Sequence, residues 1–206
     1  MAHQEANAVA ITGGTINSTA IGGTTPAAGA FSTLVIPKKT PVNAVASSGV
    51  LTSDNTDVAD GATVTIGEIV YRFKDTMAQA YDVKRTGTAD DTLANLVHAI
   101  NGTGSAGVNY YEGTVAHTLV TSGDVSSHAI TVTAKTKGVA GNSIAKAEDS
   151  DHLDWDGTGE YFTGGVDGTV GVANEICADA TYLYHCIATN TIADNNWRQI
   201  ALGSAY

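Results

Sequence analysis

Between residues 11 and 36 the chain places a large apolar side chain at every fifth position: Ile11, Ile16, Ile21, Phe31 and Ile36, with Pro26 at the remaining step. This spacing fits no common element. An amphipathic helix needs apolar residues three and four apart, and a half-buried strand needs them two apart. The intervening residues are almost all Gly, Ala, Thr, Ser and Asn. One large side chain per pentad cannot enclose a core within a single chain. It can when several copies wrap a common axis and each pentad adds one layer to a shared interior, as in repeat and fibrous proteins. The five residues are therefore expected to form an interface between chains. The alternative is a flexible Gly/Thr-rich linker.

Beyond that segment, the 206 residues allow one large or two small domains. An apolar content of 43% permits a real core, whereas an aromatic content of only 6% favours short strands and tight turns over large helices. The net charge of −11 repels phosphate, so no nucleic-acid partner is expected. No apolar run approaches the ~18 residues of a membrane span. The N-terminus MAHQEANAVA lacks a basic region followed by an apolar one, so assembly in a cytoplasm is expected.

Four parts follow along the chain: residues 1–37, the pentads; 38–58, a connector with one short strand; 59–170, an α+β globular module; and 171–206, a β-hairpin region. In the module, residues 62–66 and 68–73 alternate apolar and polar around Gly67, which predicts a hairpin. The clearest helix is 90–101, where Leu93, Leu96, Val97 and Ile100 make one apolar face, Asp90 and Asp91 favour its positive end, and Gly102 stops it. Further strands are expected at 81–83, 114–121 and 129–134, followed by a Gly-rich stretch over 138–168. Near the end, 175–177, 182–189 and 197–201 are expected strands. Tyr182 and Tyr184 share one face there, and Leu183 and His185 the other.

Residues that carry chemistry are sparse. Gly13-Gly14 and Gly22-Gly23 are followed by neither Gly-Lys-Ser/Thr nor a helix, so they predict turns and not a phosphate cradle. The six histidines are scattered, and neither an HExxH nor a G-x-S-x-G motif occurs. From Asp154 the acidic stretch imitates the start of a calcium loop with Asp156, Thr158 and Gly159, but its twelfth position is Gly165, not an acid. No metal, cofactor or catalytic residue is expected. Cys177 and Cys186 would lie one diagonal step apart on adjacent strands, which favours reduced thiols. Adjacent aromatics on a strand point to opposite faces, so Tyr110-Tyr111 and Tyr161-Phe162 should each leave one ring outward. Tyr110, Tyr111 and Tyr161 are the candidate surface contacts, to a sugar or to a second subunit.

The stretch NAVAITGGTINSTAIGGTTPAAGAFSTL, residues 7–34, resembles a segment found in many bacteriophage tail-fibre and tail-spike proteins. Residues 60–168 (DGATVTIGEIVYRFK, DDTLANLVHAINGTG, ITVTAKTKGVAGNSIA) are similar to a small module of phage structural proteins. The ending EICADATYLYHCIATN with NNWRQIAL resembles the last hairpin of many fibre proteins. The resemblance implies a virion structural protein that is trimeric and not an enzyme. Combined with the residue patterns, it gives a mainly β chain with a small α+β module: an intertwined trimeric N-terminal segment, a central sheet with one helix, and a C-terminal β-hairpin. The implied role is a short trimeric fibre or tail-fibre-like component for attachment and adhesion. The competing role is a capsid decoration or head-fibre protein at capsid three-fold positions. Partners would be other virion proteins and a host surface glycan. A depolymerase would need two placed carboxylates, for which only the residues 149–156 offer candidates.

Overall fold

Residues 38–58, expected as a connector with one short strand, hold one strand, and it lies inside a sheet, between two partners. The computed structural model describes residues 35–203, so Ile11, Ile16, Ile21 and Phe31 lie outside the described residues. Strand β1 (Ser48–Ser53) is buried on alternate residues, Gly49, Leu51 and Ser53. Two of these inward positions are small, which is why the segment does not look like a core strand in sequence. Gly49 allows a close approach there: a Cβ on it would stand 3.2 Å from the Phe162 ring and 3.3 Å from the Lys146 stem, a tight contact.

Strands β2 (Thr63–Ile66) and β3 (Ile69–Lys74) form the expected hairpin, with Ile66 opposite Ile69. The two-residue turn is Gly67-Glu68, and Gly67 takes φ 59°, the conformation such turns demand. Strand β4 (Asp82–Lys84) runs parallel to β3, although the connection spans only residues 75–81, shorter than a usual parallel crossover. Asp82 clamps that return. Its carboxylate accepts from Arg72 Nε at 2.7 Å and from the Ala78 and Gln79 amides at 2.8 and 3.1 Å. Arg72 Nη2 also donates to the Ala80 carbonyl at 2.6 Å.

Helix α1 (Ala89–Asn101) matches its expected bounds within one residue and buries Leu93, Leu96, Val97 and Ile100. Gly102 closes it at φ 65°, donating to the His98 carbonyl. A side chain at Gly102 would also meet Ala116 Cβ at 2.8 Å, so two constraints select glycine. Strand β5 (Val120–Ser122) is shorter than the 114–121 expected. Upstream of it the buried His117 bonds the Ile66 carbonyl at 3.0 Å and accepts from the Leu119 amide at 3.1 Å, which bends the backbone out of a ladder. Strand β6 (Ala129–Ala134) lies where expected. The Gly-rich stretch holds a 3-10 turn at Val139–Ser143 and two short strands, β7 (Lys146–Glu148) and β8 (Leu153–Trp155).

These strands form two four-stranded sheets, β5-β6-β1-β8 and β4-β3-β2-β7. Helix α1 packs on β4, β5 and β6, so both sheets and the helix share one core, from Leu51 and Phe73 to Leu96, Ile130 and Trp155. The third sheet comprises β9 (Ile176–Ala178), β10 (Tyr182–Cys186) and β11 (Trp197–Ala201) in the order β11-β10-β9. It is a three-stranded antiparallel meander, one strand more than a hairpin. Its own core is small: Cys177, Tyr184, Cys186 and Trp197, with Tyr182 against them.

The described residues are thus mainly β, with three sheets and a single helix. Residues 38–45 are not free-running either. Lys39 donates to Glu175 at 2.9 Å and to the Val170 carbonyl at 3.0 Å, and it lies over the Trp197 ring. Val45 bridges Val166. The segment 38–58 therefore ties the third sheet to the main core. Among the described residues no helix is long and apolar enough to cross a membrane.

Candidate functional site

The tyrosine pair marks the most site-like surface. Residues 109–111 run extended beside β4: Val83 bridges Tyr110, the Lys84 amide donates to the Asn109 carbonyl, and the Tyr111 amide donates to the Asp82 carbonyl. On extended backbone neighbouring side chains alternate, so Tyr110 turns into the core and Tyr111 turns out. Tyr110 is only 6% exposed and is not a surface contact; its ring belongs to the main core. The second pair splits the same way, with Phe162 buried and Tyr161 half exposed.

Tyr111 lines an open groove of about 630 Å³ together with Asp75, Met77, Lys84, Val108 and Glu112. The loop 75–81 forms one wall because Asp82 and Arg72 hold it down. Asp75 is fixed in turn: its carboxylate accepts from Arg85 Nη1 at 2.9 Å, and its carbonyl accepts from Lys84 Nζ. Arg85 is anchored behind by Asp57 at 3.2 Å. The groove therefore offers an aromatic ring, a thioether and two carboxylates on a braced rim. An aromatic face beside charged rim groups suits contact with a polar, hydroxyl-bearing surface. Of these residues the sequence singles out Tyr111 alone. Asp75, Met77 and Lys84 are brought in by the short parallel return of β3 to β4, for which no sequence signal exists.

The acidic stretch does not build a cation site. Asp154 points outward from β8, and Asp156 is engaged by Lys146 at 2.6 Å. Burial works against its ionisation, but the Lys146 ammonium and the Val50 backbone hold its carboxyl below the usual range. Among the described residues no three His, Cys, Asp or Glu side chains converge as ligands. Cys177 and Cys186 are both free and buried, and burial pushes the Cys177 thiol up, away from the reactive thiolate.

The hairpin turn after β9 has a strong electrostatic anchor. Asp179 accepts from the Tyr184 hydroxyl at 2.6 Å and from the Thr181 and Tyr182 amides at 2.7 and 2.8 Å. The Tyr184 hydroxyl and those amides pull its carboxyl down to about 2, and the same bond raises Tyr184 to about 12. The role is positional.

Of the expected interface residues, Ile36 is the one within the described residues, and it is 38% exposed. No protein-family model, curated protein or solved structure matches this chain.

Proposed function

We propose that this chain is a bacteriophage virion structural protein, a short trimeric fibre or tail-fibre-like component that serves attachment and adhesion and catalyses nothing. The observation that carries this reading is the segment 7–34, whose pentads supply one large apolar side chain each, too few to enclose a core within a single chain, and which resembles phage fibre segments. Support also comes from the many apolar side chains left exposed in the third sheet and its surroundings, among them Val172 and Ile200. In this reading the chain acts mechanically: shared burial between copies gives stiffness, and the Tyr111 groove faces a host surface saccharide.

Locating the protein on particles tests it. Immunogold labelling or a cryo-EM map of purified virions should place it at the tail. Density at capsid three-fold positions would instead make it a decoration or head-fibre protein, and absence from purified virions would overturn both assignments. Tyr111→Ala should weaken adsorption to host cells while leaving particle incorporation intact.

A further inference from the structure

The third sheet has one covered face and one bare face. Cys177, Tyr184, Cys186 and Trp197 point into its small core. By alternation Ile176, Leu183 and Ile200 point the other way. Ile176 is 48% and Ile200 62% exposed. They are not scattered. Leu183 lies opposite both Ala178 and Ile200, and His185 opposite both Ile176 and Arg198, so the outward side chains form two rows across the strands.

A fourth stretch extends these rows. Lys38 bridges Ala178 in parallel, the Ala178 amide donates to the Pro37 carbonyl at 3.0 Å, and the Lys39 amide donates to the Ala178 carbonyl at 3.0 Å. The same alternation sets Ile36 on the bare face, in the row of Ile176. Ile36 is also the last residue of the pentad series. A sheet needs an apolar layer against each apolar face, and none covers this one within the described residues.

Charge indicates the occupant. The chain has a net charge of −11, with only ten basic residues. Yet the rows on this face carry Lys38 and Arg198 at their ends and no acid. Copies of net charge −11 repel one another overall, and a face that presents no acid is one on which a second copy meets no acid-on-acid repulsion.

We propose that the bare face of the third sheet is a subunit contact, covered by neighbouring copies of this same chain. The interface expected for the pentads then continues through Ile36 onto Ile176, Leu183 and Ile200. The proposal rests on the trimeric reading above but makes a separate claim about where the copies touch.

Two measurements on the full chain test it. Light scattering gives the oligomeric state of the wild type and of Ile200→Glu. Maleimide labelling compares Ile200→Cys with Thr131→Cys, an exposed position on β6. The expected result is a trimeric wild type, a smaller species for Ile200→Glu, and labelling of Ile200→Cys at least about tenfold slower than the control, because modification requires opening. A trimer in which Ile200→Cys labels as fast as Thr131→Cys overturns this contact and leaves the trimer standing. A monomeric wild type overturns both, and a monomer with Ile200→Cys protected means that another part of the same chain covers the face. Should Ile200→Glu fail to fold, the labelling comparison decides alone.

Discussion

Lys146 puts a positive charge inside the core, and its partner sits at the surface. The lysine side chain is 3% exposed, whereas that of Asp156 is 46% exposed. The ammonium donates to Asp156 Oδ1 at 2.6 Å and to the Asp156 carbonyl, and it lies 5.6 Å from the Trp155 ring centre. Its stem packs against β1 at Gly49. The two halves of the pair therefore respond differently to loss of the other. Lys146→Met keeps an apolar stem of similar length, removes a buried charge, and leaves Asp156 free to hydrate. We expect a change within about 1 kcal/mol, since replacing a buried ion by an apolar isostere is often neutral. Asp156→Ala leaves the ammonium buried with a carbonyl as its remaining partner. Breaking a fully buried pair costs about 3–5 kcal/mol, and solvent screening of the half-exposed carboxylate lowers that to about 2–3 kcal/mol. Urea unfolding followed by tryptophan fluorescence measures both, at one fixed protein concentration because assembly shifts apparent stability. Equal losses, or a larger loss for Lys146→Met, would refute the asymmetry argued from burial.

Leu96 is fully buried, so Leu96→Ala should cost about 2–5 kcal/mol. His98→Ala should stay within about 0.5 kcal/mol, because His98 lies off the buried face and bonds only Thr103 at 3.0 Å; equal shifts in Tm would sink the helix assignment. Burial, aided by the Lys135 charge and opposed by the bond to Ile66, lowers His117 below its ordinary 6.5. The unfolded chain then binds the proton first, so stability should be full above about pH 6.5 and fall as pH drops towards the folded value; His117→Gln should flatten that part of the pH profile. Gly171→Ala should destabilise the third sheet by about 1–3 kcal/mol, since a Cβ there overlaps the Trp197 indole and meets Cys186 Sγ at 3.0 Å; hydrogen exchange at β9–β11 reports it. EDTA should leave Tm unchanged, because Asp156 is committed to Lys146 and no closing ligand accompanies Asp154; a drop of several degrees that calcium reverses would contradict this.

The elements legible from sequence were those whose determinants lie within one element. Helix α1 announces itself through Leu93, Leu96, Val97 and Ile100 at helical spacing, two acids at its start and a glycine at its end. The β2–β3 hairpin follows from alternation around Gly67, and the facing of Tyr182 and Tyr184 against Leu183 and His185 follows from the pleat. Local periodicity fixes which side of such a segment is apolar, and no partner is needed to see it. Tertiary structure decided everything that depends on a distant neighbour. Strand β1 is internal in its sheet because β6 and β8 pair on its two edges, and Phe162 and the Lys146 stem lie close against Gly49 from more than ninety residues away in the chain. Tyr110 and Tyr111 are a symmetric pair in sequence, and only the bridge to Val83 selects which ring is buried. The groove beside Tyr111 exists because Arg72 and Asp82 fold a seven-residue return against β3. Asn190, fully buried, donates to the carbonyls of Thr169 and Thr191 and accepts from the Asn196 amide, yet in sequence it is one polar residue among several. Side-chain volume and hydrogen-bond demand are matched between segments that meet only after folding, so a linear pattern carries the faces of elements and not their partners.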